Sequence, residues 1–208
     1  MDYESKAVTR RRKLRDSLIA AAEQTIETEG LRGMKARELA HMVGCAVGAI
    51  YNVFSDLDDL IFAVNALTLE QLETTLTAAN TETADPQTSA IRKLTHLAIA
   101  YTDYAATNRR RWRALFDHRL AEDQEVPTWY KTNLARLFAY IEAPLRQLAP
   151  GMADADRELL ARSMFSAVHG IVLIGLEEKL QSLPLTVIRE QVAMMVQAMA
   201  RGLAQPSS

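Results

Sequence analysis

The stretch from Met34 to Leu60 constrains this chain most, because its apolar residues and its central glycine divide it into short helical segments. The pattern predicts a helix that ends near Val43, a tight turn at residues 44–46 and a second short helix from Val47 to Phe54. Two short helices joined by a glycine-containing turn form a helix-turn-helix unit, in which the second helix enters the major groove of DNA. The sequence therefore predicts such a unit here.

The second of these helices has one apolar face and one face of small or polar residues. Ile50 and Phe54 lie one helical turn apart and are expected to be buried. The residues expected to face outward are Val47, Gly48, Ala49 and Asn52, with Tyr51 at the edge. Small exposed residues let a helix approach base edges and phosphates closely, so these five are predicted to contact DNA.

A longer helix is predicted to follow, over about residues 56–79. Ser55 and Asp58 have the spacing of a capping box, which marks a helix start. The acidic residues there suit the positive end of a helix dipole. This fourth helix is long enough to link the N-terminal helices to the rest of the chain.

Two segments carry a resemblance to a known family, LIAAAEQTIETEG (18–30) and ARELAHMVGCAVGAIYNVFSDLDDL (36–60). In register and spacing they resemble the N-terminal domain of TetR-family transcriptional regulators, over roughly residues 14–65. The segment MFSAVHGIVLIGL (164–176) is similar to the His-Gly segment of one TetR C-terminal subfamily.

The resemblance implies an all-α fold of about nine helices in two domains. Residues 1–55 would form a three-helix DNA-binding domain with a basic N-terminal arm. Residues 56–208 would form a larger domain for effector binding and dimerisation. The implied protein is a homodimer that binds double-stranded operator DNA and a small-molecule effector. Repression that the effector relieves is the expected activity.

Composition independently favours an all-helical chain, since only eight Gly and six Pro occur among 208 residues. A single cysteine, Cys45, excludes an intrachain disulfide framework and a Cys-based zinc site. It is expected to be a small buried residue, with a redox sensor as the alternative. No apolar run is expected to span a bilayer, and the charged N-terminus does not match a signal peptide. We therefore expect a cytoplasmic protein with no membrane partner.

The positive charge is concentrated at the N-terminal end. The net charge of the whole chain is −2, but nine Lys/Arg against seven Asp/Glu in residues 1–55 give that segment +2. Residues 1–9 are expected to be unstructured, and a basic run over residues 10–15 leads into the first helix. Arg11 and Arg12 are predicted to contact phosphates or the minor groove, with a solvated helix start as the alternative.

Four positions depart from the pattern that the resemblance implies. Lys35 stands where the family usually has a Thr or Ser that caps the second helix and contacts a phosphate. Ala46 and Ala49 replace usual hydroxyl residues, and Leu57 stands at a usual phosphate-binding Lys. Lys35 could still reach a phosphate as a point charge, and Arg37 is the firmer prediction for a DNA contact. The departures keep open a helical interaction module with weakened DNA binding.

The last two predicted helices are expected to form the dimer interface. Both carry small or apolar residues along one side, where a second copy of the chain could approach closely. The predicted interface residues are Ser163, Ala167, Gly170, Ile174, Ile188, Gln191, Met195 and Met199. The alternative is that the two helices complete the core of one subunit.

Aromatic residues concentrate between the fourth helix and the predicted dimer helices. The resemblance implies an effector site there, and the scarcity of charge favours a largely apolar effector. The predicted lining is Tyr101, Tyr104, Trp112, Phe116, Trp129, Phe138, Phe165 and His169, any one of which could instead be a core residue. The basic run Arg109–Arg111 is predicted to be a solvated face rather than an anion site.

No catalytic motif is evident in the sequence. The four His show no pair at metal-ligand spacing, and the chain has neither a glycine-rich phosphate loop nor a nucleophile elbow. We therefore expect no enzymatic activity, no metal site and no cofactor.

Overall fold

The computed structural model describes residues 2–80, 86–122 and 124–204, and over these residues the chain is all-α. Nine α-helices and two short 3₁₀ turns (Leu31–Gly33 and Glu178–Leu180) occur in this described part, with no strand. The helices are α1 (Asp2–Glu29), α2 (Ala36–Val43), α3 (Val47–Tyr51), α4 (Leu57–Ala79), α5 (Pro86–Thr107), α6 (Arg109–Asp117), α7 (Thr128–Leu148), α8 (Asp154–Gly175) and α9 (Leu185–Ala204). The predicted all-α fold of about nine helices is confirmed.

The helices form two compact units. The first unit comprises residues 1–70 and 108–130, and the second comprises residues 71–107 and 131–208. Helix α6 therefore belongs with α1–α3, although it lies far from them in sequence. These units are defined by packing. The predicted division into a DNA-binding domain (1–55) and an effector-binding and dimerisation domain (56–208) is a division by function, and it stays a prediction.

The first unit has a core made by one face of each N-terminal helix. Leu18 and Ile26 of α1 pack with Leu39 of α2, Ile50 of α3 and Phe54. Ile50 and Phe54 are almost fully buried, because a turn of helix places both on the same side. Helix α3 ends at Tyr51, three residues earlier than predicted, and the amides of residues 53 and 54 both donate to the Ile50 carbonyl at 2.9 Å.

The turn between α2 and α3 depends on Gly44. This residue caps α2 in the left-handed conformation, with φ of 72°, which only glycine adopts without steric cost. The Cys45 amide then donates to the Ala40 carbonyl at 2.9 Å and closes the end of α2. The sequence pattern thus places the predicted turn at the residue whose backbone requires glycine.

The start of α4 differs from the predicted capping box. Because α4 begins at Leu57, the residue before it is Asp56, whose Oδ1 accepts a hydrogen bond from the Asp59 amide at 2.7 Å. The Asp59 carboxylate in turn accepts from the Ser55 amide at 3.2 Å. Asp56 therefore caps α4 at the Asp59 amide, the Asp59 carboxylate reaches back to Ser55, and Asp58 has another partner.

In the second unit, α9 packs against α5 and α8 through residues one turn apart. Ile188, Val192, Val196 and Ala200 of α9 are buried in this way. The prediction that Ile188 lies in a dimer interface is wrong, because the side chain is fully buried against Gly175 of α8. A Cβ added to Gly175 would lie 2.9 Å from Ile188, so the glycine allows α8 and α9 this close approach.

Helix α8 is unusually apolar for a surface helix. By length and composition it could cross a membrane, and 28% of its most apolar stretch is buried. The expectation that no apolar run reaches such a length is therefore wrong. One helix of this kind is weak evidence for a membrane protein, since a soluble protein's packing helix meets the same condition.

Candidate nucleic-acid interface

The exposed side of α3 carries the residues that the sequence predicts for DNA contact. Val47 is 37% exposed and Tyr51 49% exposed, and Gly48 and Asn52 are also exposed. Ala49 is half-buried, so its contribution to this surface is smaller than predicted. Large apolar side chains at the surface, such as Val47 and Tyr51, are consistent with a surface that is covered in a complex.

Gly48 has no structural need to be glycine within the chain. Its φ is not in the left-handed region, and a Cβ added there would meet no atom within 4 Å. Glycine inside a helix costs about 0.5–1 kcal/mol relative to alanine. Glycine at position 48 therefore lowers the stability of the helix, and no contact within the chain requires it. This fits a position where the backbone of a binding partner approaches the helix closely.

Two exposed cationic residues lie at the start of α2, the helix before α3. Arg37 lies in the first turn of α2 and is exposed. Lys35 is the N-cap residue of α2 in an extended conformation, and it makes no side-chain capping bond. This absence agrees with the sequence argument that a lysine cannot cap through an oxygen. Both ammonium and guanidinium groups are thus available to an anionic partner.

The basic run over residues 10–15 lies inside α1 rather than in an unstructured arm. The helix begins at Asp2, so the expectation of an unstructured segment is wrong for residues 2–9, and Met1 lies outside the described residues. Arg11 and Arg12 are exposed on this helix. Arg15, one turn further on, places its guanidinium carbon 5.2 Å from the centre of the Phe54 ring, just beyond the end of α3.

Two arginines of the second basic run, Arg110 and Arg111, are bonded to α1. Arg111 of α6 is buried, and its guanidinium contacts Glu23 at 2.6 Å and Glu27 at 3.0 Å. Arg110 donates to the Glu27 carbonyl at 3.0 Å and to the Thr28 carbonyl. The prediction of a solvated face is therefore wrong for Arg111, because α1 supplies its acceptors, whereas Arg110 is bonded to α1 and still exposed.

Two more polar contacts join α6 and the residue after it to α4. His118 Nε2 lies 2.7 Å from Asp58 Oδ1, so Asp58 bonds His118 instead of capping α4. The Asn65 amide donates to the Ala114 carbonyl at 3.3 Å. Helix α6 is thus bonded to both α1 and α4 within the first unit, a connection that no local sequence pattern indicates.

The predicted effector-site residues fall into both units. The first unit contains Trp112, Phe116 and Trp129, of which Trp112 packs on Phe116 at 5.7 Å between ring centres. Trp129 packs edge-on against Tyr130 at 5.7 Å. The remaining five, Tyr101, Tyr104, Phe138, Phe165 and His169, lie in the second unit.

Four of those five form one cluster around Phe165. Its ring stacks on His169 at 5.6 Å and lies edge-on to Tyr101 and Phe138, each at 5.5 Å. A 2.7 Å hydrogen bond joins the Tyr101 hydroxyl to His169 Nδ1. Tyr104 instead donates to Gln71 at 3.3 Å. The cluster is largely apolar and contains a single polar pair.

The sequence does not indicate two features of the second unit. Arg162 of α8 places its guanidinium 5.4 Å from the centre of the Phe138 ring, so a charge borders the aromatic cluster. A depression of about 250 Å³ is lined by Asn80, Lys93, Ala139, Tyr140, Ala143, Pro144 and Gln147. Neither feature could be predicted, because helical spacing in the sequence does not show which side chains of different helices come into contact.

Tyr130 is buried in the first unit, and its burial raises the pKa of its hydroxyl from 10.0 to about 12. We expect the free energy of unfolding to fall as pH rises from about 10 to about 12, because the unfolded tyrosine ionises first. A two-unit shift corresponds to at most about 2.7 kcal/mol. Denaturant titrations at several pH values should show this loss in the intact protein and a smaller loss in Tyr130→Phe. Equal losses in both would contradict the prediction.

The predicted dimer residues other than Ile188 remain at or near the surface of the second unit. Ser163 and Ile174 of α8 and Gln191 of α9 are exposed, and Ala167, Gly170, Met195 and Met199 are half-buried. The exposed large apolar residues of the two helices also include Leu159 and Met194, at 65% and 60% exposure. Small and apolar residues thus line the outer side of α8 and part of α9.

A helix-turn-helix unit joined to a larger helical unit defines a class of transcriptional regulator. Residues 94–199 match the family described as tetracyclin repressor-like, C-terminal domain. The match covers half of the chain, and the chain belongs to the TetR family of transcriptional regulators. The members of this family are transcription factors and not enzymes.

Several solved structures share the fold. A protein of unknown function from Rhodococcus sp. RHA1 is 23% identical, with a TM-score of 0.70 over 92% of this chain and 96% of that one. A TetR-family regulatory protein from Rhodococcus RHA1 is 18% identical, with a TM-score of 0.62 over 90% and 97% of the two chains. A transcriptional regulator from Aquifex aeolicus VF5 is 13% identical, with a TM-score of 0.58 over 89% and 99%. The comparison with curated proteins finds no match.

Proposed function

We propose that this TetR-family regulator is a repressor that leaves its operator when a small, largely apolar effector binds. The observation that carries the proposal is the exposed face of α3, where Gly48 has open space around it and Asn52 is accessible. Residues 1–55 would bind DNA, and residues 56–208 would bind the effector and a second subunit. The protein would act in the cytoplasm, with no membrane partner.

In the proposed complex, α3 lies in the major groove and its neighbours hold the backbone. Asn52 would read base edges, since an asparagine can bond adenine through two hydrogen bonds. Tyr51, Lys35 and Arg37 would contact phosphates, which position the protein but carry no sequence information. Val47, Gly48 and Ala49 would allow the close approach that base reading needs.

A homodimer would read two half-sites of a pseudo-palindromic operator. The supporting observation is the apolar outer side of α8, where Ile174 is 57% exposed beside the small residues Ala167 and Gly170. Together with Gln191, Met195 and Met199 of α9, it would form a four-helix interface with its symmetry copy. Twofold symmetry then places two recognition helices about one turn of DNA apart, or a multiple of a turn.

The aromatic residues support an apolar effector. The cluster of Tyr101, Phe138, Phe165 and His169 offers ring faces and one hydrogen-bonding pair, the composition typical of small-molecule sites. Trp112, Phe116 and Trp129 belong to the first unit and lie outside this cluster. An effector with one polar group could exchange a hydrogen bond with the Tyr101–His169 pair.

The effector would act through α4, which is continuous from the first unit at Glu70 to the second at Gln71. A shift of this helix would change the separation of the two recognition helices and so weaken binding to half-sites of fixed spacing. The effector must prefer the non-binding separation by about 1–3 kcal/mol to be useful.

Mobility-shift and footprinting experiments with the region upstream of the gene test the proposal. We expect protection of two related half-sites, and loss of the shift when apolar candidate effectors are added. Repression should appear as reduced transcription from that promoter in a purified system. A protein without sequence preference at low salt would instead be an interaction module, the alternative that Lys35, Ala46, Ala49 and Leu57 leave open.

Substitutions at two neighbouring exposed residues should separate base reading from phosphate binding. Asn52→Ala should relax the base preference at one position of each half-site, a loss of about 1–3 kcal/mol of discrimination. Tyr51→Phe should weaken binding to all sequences evenly, because a phosphate contact is independent of base identity. Binding of both variants to a library of operator variants measures the difference. An unchanged preference in Asn52→Ala would move base reading away from α3.

A further inference from the structure

The N-terminal part of α1 extends beyond the core of the first unit. The helix begins at Asp2, and among the hydrophobic residues from 6 onwards Leu14 is the first that packs on this core. We call residues 6–13 the α1 extension. Between Lys6 and Arg15 the chain has six Lys/Arg and no acid. Arg11 and Arg15 lie one helical turn apart and repel each other, so an anionic partner beside them would relieve this repulsion.

The extension has two sides that differ in their relation to α3. Arg15 lies over the Phe54 ring, so its side of α1 faces the end of the recognition helix. Arg11 and Arg12 precede Arg15 by four and three residues, which places them on that same side. Arg10 and Lys13 precede it by five and two residues and lie on the opposite side. All four side chains are exposed.

We propose that the α1 extension is a rigid helical rod that binds DNA phosphates next to each half-site through its Arg11 and Arg12 side. The proposal rests on the proposed function, because it needs α3 to lie in the major groove. The phosphates that border the groove would then lie beyond the end of α3. Arg15, Arg11 and Arg12 are on the side of α1 that faces this region. Charge complementarity selects the partner, since the extension has only cations and the DNA backbone only anions.

A rigid rod and a flexible arm predict different results for two variants with equal charge. In a rod, Arg11→Gln/Arg12→Gln removes two phosphate contacts, whereas Arg10→Gln/Lys13→Gln removes charge that faces solvent. Each lost contact lowers the slope of log affinity against log salt by about 0.9. The first variant should therefore lose about 2 from the slope, and the second less than half of that. A flexible arm would show equal losses.

The experiment measures binding to a mixed-sequence duplex of about three helical turns, and to an operator selected in vitro, between about 50 and about 200 mM salt. Over this range of salt, the fold-decrease in affinity of Arg11→Gln/Arg12→Gln should be about ten times smaller than that of the intact protein. Unchanged thermal unfolding would show that both variants are folded. Phosphate ethylation on the operator should interfere outside the half-sites for the intact protein, and not for Arg11→Gln/Arg12→Gln.

The outcomes separate the rod from the proposed function. Equal slopes for the two double variants, with the intact protein still selecting its operator, would overturn the rod and leave the proposed function standing. Slopes identical to that of the intact protein in both variants would exclude the extension from the DNA interface altogether. An intact protein that selects no operator would overturn the proposed function, and the rod with it.

Discussion

Replacing Ile174 with Arg should convert the proposed dimer into monomers and lower operator affinity by about 100-fold. The side chain is 57% exposed in a single subunit, so a guanidinium there does not disturb the fold of that subunit. In the proposed interface, symmetry places the substituted residue on both sides, and two charges lose water without gaining a partner. A cost of about 3 kcal/mol corresponds to the expected factor. Sedimentation and operator titration measure the two effects.

Leu180→Arg is a matched control for this variant. Leu180 is 59% exposed, but it lies in the 3₁₀ turn after α8 and outside the proposed interface. The control should remain dimeric and bind the operator like the intact protein. A dimeric Ile174→Arg protein with normal operator affinity would refute an interface on this side of α8. It would leave open how the apolar surface of α8 is covered.

Replacing Arg111 with Met should lower the free energy of unfolding by about 2–3 kcal/mol. Breaking a buried ion pair from one side costs about 3–5 kcal/mol, because the remaining charge stays buried and unpaired. Here Glu27 and Glu23 are 50% and 28% exposed and can regain water, which reduces the loss. Denaturant unfolding of the intact protein and the variant measures the difference.

Arg119→Met tests whether the effect comes from this contact rather than from loss of any positive charge. Arg119 is exposed in the segment after α6, and its substitution should change the free energy of unfolding by less than about 0.5 kcal/mol. Glu27→Gln should reproduce part of the Arg111 effect. If Arg111→Met were as stable as Arg119→Met, the attachment of α6 to α1 would contribute nothing to the stability of the first unit.

Local features of the fold were predictable because their causes lie within a few residues. Helical spacing identified Ile50 and Phe54 as core residues, and the glycine at 44 marked the turn whose backbone needs it. The cap of α4 was predicted one residue out of place, since Ser55, Asp56, Asp58 and Asp59 all have suitable side chains. Spacing alone does not decide which of several competent residues caps a helix.

The candidate sites were less predictable where they depend on contacts between distant segments. Arg111 contacts Glu27, 84 residues earlier in the chain, and nothing around Arg111 in the sequence indicates an acidic partner. The eight residues predicted to line the effector site all lie in predicted helices, yet three belong to the first unit and five to the second. Ile188 resembles its neighbours on α9, but its position against Gly175 makes it a core residue.

By itself, the sequence determined the all-α class, the helix-turn-helix unit and the faces of its short helices, because periodicity and turn chemistry act over one or two turns. Only the tertiary structure decided that α6 is bonded to α1 and α4, that Ile188 is buried, and that residues 10–13 are helical. The physical reason is that burial and ion pairing are properties of a place in the fold. Residues far apart in sequence share such a place only after packing has brought them together.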